Sequence, residues 1–168
     1  QFHSRALGEQ MLQGALACLG FFLLVFSLTQ WYHLREALYV KYALLVVFSV
    51  MFSVHYFGIG EMYLWTDLAW PERHLAGVTS LLAAAATALF VEDALAGDLH
   101  RWLRRGLRAV AVIHVLAAIA HGADLIDIRV VAVFMSTTGL MPALMGLPGA
   151  LAKARRGDSV GHWFMAAW

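Results

Sequence analysis

Three of the chain's eight histidines, His55, His114 and His121, lie within stretches otherwise free of charge, and His74 and Asp124 stand at the ends of such stretches. Imidazole nitrogens coordinate transition metals, and a pair of them can hold a haem iron axially. Imidazole also titrates near neutrality, which suits a proton site. His114 and His121 are seven residues apart and so share one helix face. No His-x-x-x-His pair falls within a span, however, and a single imidazole inside a membrane is ordinarily satisfied by a neighbouring helix. The plain reading is therefore structural histidines with no metal and no cofactor. His55, His74, His121 and Asp124 are the residues that would hold a metal if one were bound.

Two further groups have chemistry to offer. Glu92 and Asp93 are the acids nearest a membrane interior, and an ionised carboxylate there costs on the order of 3 kcal/mol, so each needs water or a cation. Arg101, Arg104 and Arg105 follow closely and are the expected partners, fixing the loop between them. The same basic loop attracts anionic lipid headgroups. Farther along, Gly139, Pro142, Gly146, Pro148 and Gly149 crowd one apolar stretch. Each proline removes a helical hydrogen bond, at the carbonyls of Thr138 and Leu144, which predicts a kinked or pliable helix with Pro142, Gly146 and Pro148 as hinge positions. A static kink packed against small residues is the alternative.

The elements that position these groups are read from charge. Stretches without Asp, Glu, Lys or Arg cover 10–34, 42–60, 74–91, 109–123 and 130–152. About 20 apolar residues cross a hydrocarbon core. Four runs suffice alone, and the fourth does so if Arg108 snorkels. The expected architecture is an all-α polytopic transmembrane helix bundle, with spans at about 10–31, 38–58, 74–95, 107–125 and 130–152 and the start of a sixth at 161–168. A chain that is 61% hydrophobic and 14% charged fits a membrane protein and speaks against a nucleic-acid partner.

Orientation follows from the 12 basic residues. Nine occupy alternate connections: Arg35 and Lys41; Arg101, Arg104, Arg105 and Arg108; Lys153, Arg155 and Arg156. The other three are Arg5, Arg73 and Arg129. Positive charge favours the cytoplasmic side, so the N-terminus is expected outside, with the lipid bilayer of an inner (plasma) membrane as the surroundings. The second connection, 58–73, interleaves Tyr63, Trp65 and Trp70 with acids, which predicts a short outer interfacial segment ended by Pro71. It serves as a membrane anchor or as a docking surface for an external domain. The single Cys18 excludes an internal disulfide framework. A first residue other than Met, and an end inside an apolar segment, are expected of a piece of a longer protein.

Several short motifs, in order, carry a resemblance. They are Gln13-Gly14; the turn Leu34-Arg35-Glu36-Ala37-Leu38-Tyr39-Val40-Lys41-Tyr42; Gly58-Ile59-Gly60 with Tyr63-Leu64-Trp65; and Arg155-Arg156-Gly157-Asp158 with the segment from Trp163 to Trp168. On these the chain resembles the bacterial seven-transmembrane receptors with diverse intracellular signalling modules. Gly161-His162 departs from the Ala-Arg often found there. The resemblance implies a signal relay of the bacterial inner membrane between an extracytoplasmic ligand-binding domain and a cytoplasmic histidine kinase, diguanylate cyclase or phosphatase, with a homodimer as a possible assembly. No phosphate loop, nucleophile elbow or kinase motif occurs, so this stretch is not expected to be catalytic. The alternative from the enzyme class is a membrane haem or metal redox protein using the intramembrane histidines. A transporter half would need internal repeats, and none is seen between the first two spans and the later ones.

Overall fold

The computed structural model describes residues 2–66, 68–95 and 97–167, with side chains from residue 14 to 166. Asp67 and Trp168 lie outside the described residues, as do the side chains of Arg5, Glu9 and Gln13. Eight helices follow in order, and no strand occurs among the described residues: α1 (Phe2–Leu34), α2 (Ala37–Tyr56), α3 (Ile59–Tyr63), α4 (Ala69–Ala94), α5 (Arg101–Gly122), α6 (Ile128–Thr138), α7 (Met141–Arg155) and α8 (Ser159–Ala167). Helix is the only open-ended element that satisfies its own backbone in lipid, which is why apolar runs of this length fold this way. Among the described residues four segments are long and apolar enough to cross a membrane: 14–34, 37–56, 69–94 and 128–155. The last combines α6 and α7. Helix α5, expected as a full span, carries four arginines in its first two turns and is apolar only beyond them.

Helix α4 is the post of the bundle, touching α2, α5, α6 and α7. Its run of small residues explains this, because Ala84, Ala85, Ala86 and Ala88 are all buried and let neighbouring backbones approach. Two apolar clusters stack along it. One joins Val91, Leu95, Leu107, Ala111, Ala150 and Phe164, and the other joins Leu81, Ala118 and Val131. By contrast α1 and α2 leave most of their apolar surface uncovered, with Phe21, Phe22 and Leu44 exposed. In water such a surface would aggregate, whereas against lipid it is the required exterior.

Two boundaries differ from the sequence reading. Helix α4 starts at Ala69, so Pro71 lies in its first turn, where the missing N–H costs nothing, and does not end a separate segment. The stretch 130–152 is not one bent helix but two. It breaks at Gly139 and Leu140, both of which keep right-handed helical backbone angles, and Pro142 sits in the first turn of α7. Pro142 therefore opens a helix, the position in which proline is well tolerated, and only Pro148 lies inside one.

Candidate signal-relay site

The end of the bundle holding the α2–α3–α4 connection gathers most of the outer residues singled out above. Gly58 adopts a left-handed φ of 71°, turning the chain into α3. A Cβ on Gly60 would collide with the Trp65 indole, so this glycine makes room for the tryptophan to fold back. The backbone N–H groups of Leu64 and Trp65 both donate to the Gly60 carbonyl, at 2.8 and 2.9 Å. Trp65 is thereby half-buried against His55, ring centres 6.5 Å apart, and is no free interfacial anchor. Tyr63, 74% exposed, and Trp70, 49% exposed, stay at the surface, and Trp70 Nε1 also donates to the Gly122 carbonyl at 3.0 Å.

The histidine set divides. His74 and His121 meet edge to face with ring centres 5.1 Å apart, and His74 Nε2 lies 3.3 Å from the Asp124 carboxylate. Asp124 holds a left-handed φ of 60°, a conformation aspartate tolerates better than most residues, which closes the turn after α5. His121 Nδ1 donates to the Ile126 carbonyl at 3.0 Å, and its ring fills the space over Gly77, where a Cβ would come within 2.5 Å. His55 faces Trp65 instead. Among the described residues no three His, Cys, Asp or Glu side chains form a metal-holding group. Nor does the pair suit a haem. Two axial imidazoles on opposite sides of an iron need ring centres about 6 Å apart with a macrocycle between them.

Midway along the bundle His114, which the sequence places on one face with His121 and among the histidines of the haem or metal alternative, is fully buried. Its Nδ1 lies 2.8 Å from the Val110 carbonyl, an acceptor, so Nδ1 carries the proton. The Thr138 hydroxyl stands 3.1 Å from Nε2, which accepts in the neutral ring, and its single proton is shared between that nitrogen and the Phe134 carbonyl at 2.7 Å. Thr138 is the last residue of α6, and its carbonyl faces the position where Pro142 has no N–H. A buried side chain of α5 thus clasps the α6–α7 break. The Phe134 ring covers it, with centres 4.9 Å apart.

The opposite, arginine-rich end is a charge network. Glu92, its side chain 2% exposed, accepts from Arg108 Nε and Nη2 at 2.8 and 2.7 Å, with Arg104 Nε at 3.6 Å. Asp93 pairs with Lys41 of α2 at 2.6 Å. Asp98, in the α4–α5 turn and only 6% exposed, binds Arg156 and lies 3.7 Å from Lys153, which in turn reaches Asp158 at 3.2 Å. Of the expected partners Arg104 reaches Glu92, whereas Arg101 and Arg105 pair with neither Glu92 nor Asp93, and the closer bonds come from Arg108 and Lys41. Arg101 and Arg105 instead line a groove with Arg104 and Arg108. Arg155 is exposed. Asp158 also caps α8, accepting from Val160 N at 2.9 Å; this bond and Lys153 hold its carboxyl below the usual range.

Gly146 serves contact more than flexibility, because a Cβ there would meet Val91 at 2.7 Å and Phe164 at 2.9 Å. Helix α7 therefore runs hard against α4 and α8, and its C-terminal residues Lys153 and Arg156 plug into the network. The arrangement has an aromatic cap at one end, a clasped break in the middle and ion pairs at the other.

The family model for 7TM diverse intracellular signalling matches residues 9–168. The chain belongs to this family. It matches no curated protein and no solved structure. Membership makes it a membrane-embedded helical signalling domain. Within this 7TM signalling domain the motifs seen in sequence acquire physical roles: Gly58 and Gly60 set the Trp65 fold-back, and the Arg-Arg-Gly-Asp turn builds the Asp98–Lys153–Asp158 bridge.

Proposed function

We propose that this domain is the transmembrane relay of a bacterial sensor receptor of the inner membrane. It couples an extracytoplasmic ligand-binding domain to a cytoplasmic histidine kinase, diguanylate cyclase or phosphatase. The nine-to-three distribution of basic residues favours an outside N-terminus, which puts the arginine-rich end in the cytoplasm and the Tyr63–Trp70 surface outside. The observation that carries the reading is the break at Gly139–Leu140. A 28-residue crossing is divided there into two rigid pieces, and the lower piece, α7, ends in the ion-pair network.

Helical backbone on both sides lets the break bend without unfolding, which is the behaviour of a hinge. Movement of α6 at the outer end then tilts α7 against α4 and displaces Lys153 and Arg156 from Asp98. A homodimer would present two such levers to a dimeric effector. The test replaces Pro142 and Pro148 together by Ala in the full-length receptor and measures effector output in membranes. A continuous α6–α7 helix is expected to lock output at one level regardless of stimulus. Output that still responds as in the parent overturns the hinge.

A further inference from the structure

The groove on α5 is lined by Arg101, Arg104, Arg105 and Arg108 and encloses about 200 Å³. The spacing 101, 104, 105, 108 sets all four guanidinium groups on one face of the first two turns. Their compensation is incomplete. Glu92 engages Arg108 and Arg104, and Asp93 is engaged by Lys41, so neither carboxylate reaches Arg101 or Arg105. Arg105 lies over the Trp102 ring at 5.5 Å, a contact that orients the guanidinium without neutralising it. Arg104 Nε is buried and faces Glu92 at 3.6 Å, too far for a hydrogen bond, so this carboxylate is committed chiefly to Arg108. The α5 N-terminus adds the positive end of its helix dipole. Trp102 beside them is 68% exposed, and an exposed indole favours a headgroup layer.

We propose that this arginine face is a binding site for a phosphate group, whose planar-fork recognition by arginine the four side chains are placed to supply. Glu92 acts behind the site, holding Arg104 and Arg108 in position while Arg101 and Arg105 provide the uncompensated charge. The phosphate is carried by an anionic phospholipid of the same leaflet or by a soluble anion, and the two sources are separable by experiment.

The full-length protein, purified in detergent, is exposed in parallel to phosphatidylglycerol, phosphatidylcholine and inorganic phosphate, and native mass spectrometry counts the retained adducts. Arg101→Gln with Arg105→Gln removes the free charges and leaves the partners of Glu92 intact; Arg155→Gln is the control at another exposed arginine. A lipid-borne ligand gives selective retention of phosphatidylglycerol over phosphatidylcholine, which falls about 30-fold in the double variant and not in the control. A soluble ligand gives phosphate retention with the same dependence on Arg101 and Arg105 and no preference between the lipids. Equal retention of both probes by the parent and the double variant overturns the site. Circular dichroism of the variant checks that its helices persist.

Discussion

Replacing Thr138 by Val removes one hydroxyl at nearly constant volume and strands the Nε2 of a buried histidine. His114 is 1% exposed, its Nδ1 is committed to Val110, and Thr138 is its partner on the other nitrogen at 3.1 Å. In soluble proteins a buried group left without its partner costs about 1–3 kcal/mol. Side-chain hydrogen bonds between membrane helices average about 0.6 and reach about 1.7 kcal/mol, because the chain unfolded within the bilayer finds other partners. The enclosed position under Phe134 places this bond toward the upper part of that membrane range, so a loss of about 1–1.5 kcal/mol is expected. The alternative acceptor, the Phe134 carbonyl at 2.7 Å, competes for the Thr138 proton and keeps the figure from rising further. The assay is a double-mutant cycle of Thr138→Val and His114→Phe, unfolded reversibly from mixed micelles. The two changes should couple by about 1 kcal/mol, since either alone removes the same bond. Strict additivity would show that the clasp contributes nothing and that the break is held by packing alone.

Two other outcomes follow from single positions. Gly161→Ala drives a methyl into the backbone of α7, 2.7 Å from the Ala150 carbonyl oxygen, which cannot yield as a side chain would. A loss of about 1–3 kcal/mol is expected by thermal unfolding in detergent, and an unchanged melting temperature would refute the close α7–α8 crossing. Asp158 has a carboxyl held below the ordinary value, so its stabilisation of α8 is complete above the unfolded-chain value of about 3.9 and is lost only as pH falls through the lower folded value. Amide exchange across 159–167 should stay protected at pH 5 in the parent and rise in Asp158→Ala at pH values where the parent carboxylate is ionised; protection lost in the parent between pH 6 and 5 would contradict this.

The helical bundle was legible because lipid imposes one rule on every span, and charge-free runs obey it visibly. The break between α6 and α7 is legible in the sequence as a place but not in its form. Proline and glycine announce a disturbed helix, yet only the fold shows Pro142 opening α7 and not bending a continuous rod. Residues acting across helices left weaker traces. Nothing local marks Gly77 as the seat of His121, or Thr138 as the partner of His114, because the contacts depend on helix rotation and depth. Glu92 and Asp93 need cations, and nearness in sequence points to the next segment, which supplies Arg104 at 3.6 Å to Glu92; the closer bonds come from Arg108, a helical turn farther on, and for Asp93 from Lys41 of α2.

That division of partners matters for how a signal would travel. Adjacent carboxylates in a helix point roughly 100° apart, so Glu92 and Asp93 bind opposite neighbours and anchor α4 to α5 and α2 at the same level. Asp98, one turn beyond the helix, then takes Lys153 and Arg156 from the end of α7. Exposure does not separate the three anchors, since Glu92 and Asp98 are both buried and the arginines on them, Arg108 and Arg156, are both mostly exposed. What separates them is the helix that supplies the cation: α5 and α2 bind Glu92 and Asp93, and only Asp98 is bound from the end of α7. When α7 tilts, the bonds to Asp98 are therefore the ones that stretch, so that α2, α4 and α5 remain a fixed frame and α7 with α8 is the part that moves.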